Sequence, residues 1–245
     1  MIILKIILVI IIAAAVVAVV AIVADLFGKK NGSHKPYGPY EMFVKRGLDA
    51  FLATGAIIVL SPVLLITAIL VRIKLGVPIL FTQDRPGKGG KIFKLYKFRS
   101  MTDTRDVNGN LLPDDQRLPA FGQKLRSTSL DELPELLNII KGDMSIIGPR
   151  PLLVQYLPYY TDAEKHRHDV RPGLSGLAQV NGRNLVKWDQ RLAMDVEYVN
   201  KITFIGDASI VLKTIRKVFA KEDIVADTVT VEPYLDEERR GKANL

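Results

Sequence analysis

Apolar residues are concentrated in two long blocks near the start of the chain. The first block, 2–24, is apolar apart from Lys5, and it has about the 20 residues that a helix needs to cross a bilayer core. We predict a transmembrane helix at 1–27 and an irregular linker, rich in turn-forming residues, at 28–44. Basic residues follow the block, so the positive-inside rule places the linker in the cytoplasm. A cleaved signal peptide is the alternative, but the block offers a poor cleavage site.

The second apolar block, 48–71, has basic residues on both flanks and so gives no direction of crossing. Ser61 and Pro62 lie near its middle, where a proline removes a backbone hydrogen bond and bends a helix. A bent helix that enters one leaflet and returns would leave both basic ends on one side, and the Ser61 hydroxyl would help to satisfy the freed backbone. We therefore predict a re-entrant membrane helix at 45–74. The alternative, a kinked full span, would put the rest of the chain outside the cell.

Shorter apolar runs separated by turn residues fill 75–220, which we predict to be a small, mainly helical catalytic domain. The predicted fold class is α+β and membrane-associated. Aromatic and basic residues are interleaved over 91–101, which indicates a strand with one basic, phosphate-facing side or, equally, a segment in the headgroup layer. Helical periodicity covers 189–219, and the charged tail, 221–245, is predicted to be loose.

The stretch 128–151, TSLDELPELLNIIKGDMSIIGPRP, combines adjacent carboxylates with an apolar run and a basic turn. Ser129 and Glu132 match the S-x-x-E capping box, which is the commoner role of this pattern. That role leaves Asp131 unused, although the positive end of a helix dipole favours its ionised form. An ionised Asp131 could bind Mg²⁺ or act as a nucleophile. The turn that ends this stretch would present Arg150.

Composition narrows the range of partners and chemistries. A formal net charge of +8 favours anionic partners such as phosphates and membrane lipid. The chain lacks an RNA-binding consensus and carries membrane blocks, so we predict no nucleic-acid partner. The absence of cysteine excludes disulfides, thiol catalysis and cysteine-ligated zinc. His166 and His168 have H-x-H spacing without a third ligand pattern, so we assign no metal to them.

The string SLDELPELLNIIKGDMSIIGPRP closely resembles the signature of the bacterial monotopic phosphoglycosyltransferases, the small sugar transferases that load a polyprenyl phosphate. The resemblance covers 43–219 and includes RGLDAF, LSPV, FTQDRPG, KIFKLYKFRSM and RHDVRPGLSGLAQVNGRN. Among the subfamilies, PLLVQYLPYY and the short single-domain format are most similar to the enzyme that transfers phospho-N,N′-diacetylbacillosamine. Two features depart from the family pattern: Leu177 stands in place of the usual tryptophan, and an apolar segment precedes the usual start.

The resemblance implies transfer of a sugar phosphate from a UDP-sugar, such as UDP-N,N′-diacetylbacillosamine, to undecaprenyl phosphate, with release of UMP. The reaction would take place on the cytoplasmic face of the bacterial inner membrane, through a covalent enzyme intermediate. Asp131 would be the nucleophile and a ligand of Mg²⁺, and Glu132 would position the metal or the lipid phosphate. Five cations are candidate substrate ligands: Lys97, Arg99, Arg126, Arg150 and Arg183.

Two alternatives belong to other functional classes. A noncatalytic membrane-surface scaffold would bind anionic lipid through its basic segments and would use SLDE only as a helix cap. A metal-dependent hydrolase of phospholipid or pyrophosphate would use the same carboxylate, with water in place of polyprenyl phosphate. A homo-oligomer is compatible with the sequence in each case.

Overall fold

The computed structural model describes residues 2–27, 34–182, 186–220 and 234–243, and within them the chain is mixed helix and strand. The helices are α1 (Ile2–Phe27), α2 (Lys45–Leu75), α3 (Asp114–Arg117), α4 (Ala120–Ser127), α5 (Glu135–Lys141), α6 (Asp162–Lys165), α7 (Leu177–Val180), α8 (Trp188–Asn200), α9 (Phe204–Ala220) and α10 (Leu235–Ala243). The strands are β1 (Leu80–Pro86), β2 (Ile92–Phe98), β3 (Ser145–Ile147) and β4 (Gly173–Ser175). The predicted α+β class is confirmed.

Helix α1 occupies the first apolar block and packs on α2. The two helices approach closely at Gly47, where an added Cβ would lie 2.5 Å from Cδ1 of Ile22. A side chain on α2 at this position would therefore force Ile22 to shift. Among the described residues, one helical stretch, Tyr40–Leu75, is long and apolar enough to cross a membrane. A membrane span at α1 stays a prediction.

Helix α2 follows a π-helical turn at Tyr40–Val44 and contains Pro62 in its interior. A proline has no amide hydrogen, so it cannot donate to the carbonyl four residues earlier, which is that of Ile58. The Ser61 hydroxyl donates a hydrogen bond to this carbonyl at 2.8 Å. A neighbouring serine thus satisfies the backbone group that Pro62 leaves without a donor, as a helix in an apolar medium requires.

One face of α2 packs against the domain in both halves of the helix. Ala53 shares a buried cluster with Leu95, and Val71 shares another with Phe98 and Leu125. The side chains that α2 leaves exposed are largely apolar, and the large ones are Leu52, Val59, Val63, Leu65, Ile66, Ile69, Leu70 and Ile73. Both halves of the helix therefore pack against the same domain. The face of the helix that does not contact the domain is apolar and exposed.

A buried polar network joins the first turns of α2 to the domain. Lys45 Nζ lies 2.6 Å from Oδ2 of Asp207 in α9, and the Tyr198 hydroxyl donates to Oδ1 of the same carboxylate at 2.9 Å. Asp49 accepts a hydrogen bond from Oγ of Ser145 in β3 at 2.5 Å. Buried charges are costly unless they are paired and hydrogen-bonded. The network therefore fixes the start of α2 relative to α9 and β3.

The strands form two small sheets. β1 and β2 make an antiparallel hairpin, and β3 pairs with β4 in parallel. Beside the second pair, the backbone at Gly173 lies very close to the backbone at Gly148. A Cβ added at Gly173 would lie 2.1 Å from the amide nitrogen of Gly148. Glycine is required at this contact, which leads directly into the turn that carries Arg150.

The single helix predicted at 189–219 is divided into α8 and α9. Residues 201–203 leave helical geometry between them. The Thr203 hydroxyl accepts a hydrogen bond from the amide of Gly206 at 3.0 Å, which satisfies one of the free donors at the start of α9. The apolar periodicity continues across this break, and so it does not reveal the break.

Part of the tail that we predicted to be loose forms a docked helix, α10. Leu235 is fully buried in a cluster with Leu152, Tyr156, Tyr160, Trp188 and Leu192. The Arg239 guanidinium forms a two-pronged ion pair with Glu164, with both distances at 2.6 Å. Leu235 and the Arg239 guanidinium therefore both attach this short helix to the domain.

Candidate active site

The candidate site begins at a 3₁₀ turn, Leu130–Glu132, that follows α4. Ser129 precedes this turn with φ at 55°, a left-handed conformation that non-glycine residues rarely adopt. The Ser129 side chain makes no capping hydrogen bond, so the predicted capping box is wrong. A capping serine needs extended backbone geometry, which the left-handed conformation prevents. Helix α5 begins only at Glu135, after Pro134, which leaves the Glu132 carboxylate available to other partners.

Glu132 lies at the centre of an ion-pair cluster. Its Oε1 is 2.7 Å from Nζ of Lys97 in β2 and 2.9 Å from Nη2 of Arg150. Lys97 also lies 3.2 Å from Oε1 of Glu135, whose residue is only 4% exposed. The hairpin, the 3₁₀ turn, the start of α5 and the turn after β3 thus bring two cations and two carboxylates together.

The two glutamates of this cluster have opposite protonation tendencies. Burial opposes ionisation of Glu132, but the charges of Arg150 and Lys97 outweigh it and lower the pKa of this carboxyl group. Burial raises the pKa of Glu135, and the negative charge of Glu132 adds to the rise, while Lys97 opposes it. Glu132 is therefore the anion that holds Lys97 and Arg150 in place. Glu135 is the carboxyl group that takes up a proton more readily.

Asp131 is buried beside this cluster, with 7% of its surface exposed. Burial and the charge of Glu132 raise the pKa of Asp131, while Lys97 and Arg126 act in the opposite direction. Arg126 is oriented by a hydrogen bond from its Nε to Oγ of Ser100 at 3.0 Å. A poorly solvated carboxylate near two cations is well suited to attack a phosphorus centre that the same cations attract.

Five of the predicted site residues belong to one centre. Lys97 and Arg150 bind Glu132 directly, and Arg126 acts on Asp131 through its charge. Arg183 lies outside the described residues, so its predicted role as a phosphate ligand stays a prediction. The fold therefore brings together the residues on which the chemistry would depend, although they come from separate elements.

Arg99 has a different set of contacts. Its Nη1 donates to the carbonyl of Val77 at 2.6 Å, its Nε donates to the carbonyl of Met101 at 2.9 Å, and it forms an ion pair with Asp103. These contacts join the connection between α2 and β1 to the loop after β2. The guanidinium of Arg99 is thus engaged with backbone and with Asp103, and its predicted role as a phosphate ligand stays untested.

A buried ion pair that the sequence did not reveal contacts the backbone of Arg150. Arg167 Nε and Nη2 lie 3.1 and 2.8 Å from Oδ2 of Asp195 in α8, and Nη2 also donates to the Arg150 carbonyl at 2.7 Å. The two side chains are only 1% and 4% exposed. The pair fixes the backbone of the turn that carries Arg150. No local pattern links an arginine and an aspartate 28 residues apart.

Asp131 is the residue of this site that best fits a magnesium ligand. Proteins usually hold Mg²⁺ through one or two carboxylates together with substrate phosphates and water. In the part of the chain that the structure describes, no group of three or more histidine, cysteine, aspartate or glutamate side chains is arranged to hold a metal alone. Glu132 is occupied by two cations. A metal here would therefore depend on Asp131 and on phosphate oxygens of the substrate.

Comparisons with known proteins identify the family of the chain. A family model described as bacterial sugar transferase matches residues 40–221. The chain is 49% identical over 194 residues to the uncharacterized sugar transferase EpsL of Bacillus subtilis (strain 168), an alignment that covers 79% of this chain and 96% of EpsL.

Two longer relatives are named for the substrates on which they act. The chain is 39% identical over 192 residues to the UDP-N-acetylgalactosamine-undecaprenyl-phosphate N-acetylgalactosaminephosphotransferase of Aeromonas hydrophila, covering 74% of this chain and 44% of the relative. It is 36% identical over 197 residues to the UDP-glucose:undecaprenyl-phosphate glucose-1-phosphate transferase of Escherichia coli (strain K12), covering 76% and 42%. The chain therefore spans nearly all of EpsL and less than half of each longer protein.

Proposed function

Because the chain belongs to the bacterial sugar transferase family, we propose that it transfers a sugar 1-phosphate from a UDP-sugar to undecaprenyl phosphate and releases UMP. Relatives named for this type of transfer support the reaction. The structural observation that carries the proposal is the convergence of cations on the buried Asp131 and its neighbour Glu132. Such a site attracts phosphates and holds a carboxylate beside them.

In the proposed mechanism, Asp131 is the nucleophile. One of its carboxylate oxygens attacks the sugar-bearing phosphorus, and the phosphoanhydride bond breaks as UMP leaves with the electron pair. The aspartyl-phosphosugar then reacts with an oxygen of undecaprenyl phosphate, which forms the lipid pyrophosphate and releases the Asp131 carboxylate. Two displacements at one phosphorus thus replace a single difficult one.

The surrounding residues would bind and orient the phosphates. Lys97, Arg126 and Arg150 would contact phosphoryl oxygens, and Glu132 would keep Lys97 and Arg150 in position between turnovers. When bound to Asp131 and the substrate pyrophosphate, Mg²⁺ would neutralise the negative charge that develops on UMP. Burial of Asp131 would limit the access of water to the intermediate.

The proposed donor is a UDP-linked N-acetylated amino sugar, such as UDP-N,N′-diacetylbacillosamine. A panel of UDP-sugars tested with the purified protein, undecaprenyl phosphate and Mg²⁺ should give UMP release with one such sugar, and chelation of Mg²⁺ with EDTA should suppress the release. Multiple-turnover UMP release without the lipid would indicate a hydrolase. No release from any member of the panel would favour a noncatalytic scaffold.

We also infer that α2 is re-entrant and that the domain lies on the cytoplasmic face. The contacts of both halves of α2 with one domain and the hydrogen bond that compensates for Pro62 support this topology. The chain has no cysteine, so single cysteines can be introduced at the exposed Lys35 and Lys74 without background labelling. In intact cells, a membrane-impermeant maleimide should label both positions only after permeabilisation. Labelling of Lys74→Cys from outside would refute the re-entrant topology.

A further inference from the structure

Arg85 in β1 is a cation that the proposed mechanism does not use. The register places Arg85 opposite Phe93, and Lys97 opposite Phe81. Directly opposite residues of an antiparallel hairpin share a face, and successive odd positions along each strand share it too. Arg85 therefore lies on the same face as Lys97, with the buried Leu95 between their positions on that face. This face of the hairpin packs against α5.

The hydrogen bonds of Arg85 leave most of its guanidinium without an acceptor. A guanidinium has five N–H donors in a planar fork. Nη2 donates to Oε1 of Gln83 at 2.6 Å, and this neutral amide is the one acceptor that Arg85 has among the described residues. Nε is buried and has no hydrogen-bond partner within the same part of the chain. A buried donor without an acceptor is expensive.

Among the described residues, Arg85 forms no ion pair with a carboxylate. Burial and the positive charge of Arg150 lower the pKa of Arg85 to about 10, and Glu135 opposes that change. Arg150 is already paired with Glu132, and Glu135 is paired with Lys97. The positive charges of Arg85 and Arg150 thus interact in a region where Glu132 and Glu135 each pair with a cation other than Arg85. An anion bound beside both would offset their repulsion.

We propose that Arg85 is a phosphate-binding residue, whose guanidinium and that of Arg150 bind the oxygens of one phosphoryl group. The planar fork of arginine matches two phosphate oxygens, and Gln83 would hold the fork in orientation from the opposite side. The inference rests on the proposed function for the source of the phosphate. Either the pyrophosphate of the UDP-sugar or the phosphate of the polyprenyl acceptor has the required chemistry.

The test measures binding to the purified full-length protein by calorimetry. Inorganic pyrophosphate and UMP represent the donor, and a water-soluble isoprenyl phosphate represents the acceptor. Arg85→Gln should weaken the affinity for one of these classes by about 10- to 100-fold, as expected for loss of a charge-assisted hydrogen bond. Arg85→Lys, which keeps the charge and loses the fork, should give a smaller loss. Arg105→Gln is the matched control, because Arg105 is exposed in the loop after β2 and bonds the Gly109 carbonyl.

The result assigns the source of the phosphate. A loss confined to pyrophosphate and UMP places Arg85 in the donor site, and a loss confined to the isoprenyl phosphate places it in the acceptor site. Wild-type affinity for all probes in Arg85→Gln would overturn the inference, as would a wild-type protein that binds none of them. If Arg85→Gln does not fold, unchanged affinity in Arg85→Lys would overturn it instead. These measurements require no turnover, so a failure of UMP release by the wild type would refute the proposed reaction separately.

Discussion

Asp131→Asn should lower UMP release by several orders of magnitude. Asparagine keeps the size of the side chain but removes the anionic oxygen that would attack phosphorus. Asp131 is buried next to the cations that would hold the substrate phosphates, so substrate binding should change far less than the rate. The rate and the affinity for UDP-sugar, measured on the same preparation, separate these two effects.

A trapping experiment identifies the nucleophile directly. The wild-type protein, incubated with labelled UDP-sugar and no lipid acceptor, should retain sugar phosphate on Asp131 and release one equivalent of UMP. Asp131→Asn should retain none. Asp115→Asn, an exposed aspartate in α3, is the matched control and should behave as the wild type. Adduct formation by Asp131→Asn, or a label that maps to Glu132, would refute the assignment.

The parts of the fold that depend on neighbouring residues could be predicted from the sequence. Helix α5 ends at Gly142 with φ at 92°, which glycine adopts readily because it lacks a Cβ. The strand predicted within 91–101 is β2, and the second apolar block is α2. In each case the signal comes from residue types within a few positions of each other, where backbone geometry decides the outcome.

The predicted capping box failed because distant charges control Glu132. A glutamate three residues after a serine can reach the serine amide, but Lys97 and Arg150 lie 35 and 18 residues away in sequence and bind the carboxylate at 2.7 and 2.9 Å. Two charge-assisted contacts outweigh one local cap. The region that resembles the family contains all of these residues, but their pairing depends on how the hairpin and the turn after β3 meet the 3₁₀ turn that carries Glu132.

The single basic side predicted for β2 is also wrong, and the spacing of its lysines in the sequence could have shown this. Lys94 and Lys97 are separated by an odd number of positions, so strand alternation directs them to opposite faces. Lys94 lies in the exposed pair with Asp84, at 3.3 Å, whereas Lys97 reaches the candidate site. The same alternation, applied together with the pairing of the two strands, would have placed Arg85 on the inner face that also carries Lys97.

Glu132→Gln should lower the turnover rate by about 10²- to 10³-fold, a loss comparable to that of one electrostatic contact in a preorganised site. The amide keeps an oxygen that can accept hydrogen bonds, but it removes the charge that holds Lys97 and Arg150. The adduct should still form on Asp131, more slowly than in the wild type. Glu197→Gln, an exposed glutamate in α8, should leave the rate unchanged.

The pH dependence of this variant distinguishes an electrostatic role of Glu132 from a purely structural one. The negative charge of Glu132 raises the pKa of Asp131 in the wild type. Its removal should therefore lower the pKa of Asp131, and the acid limb of the pH profile for adduct formation should move to lower pH, because the nucleophile must be ionised. A structural defect alone would reduce the rate at every pH without moving this limb. An acid limb that stays in place or moves to higher pH would refute this coupling.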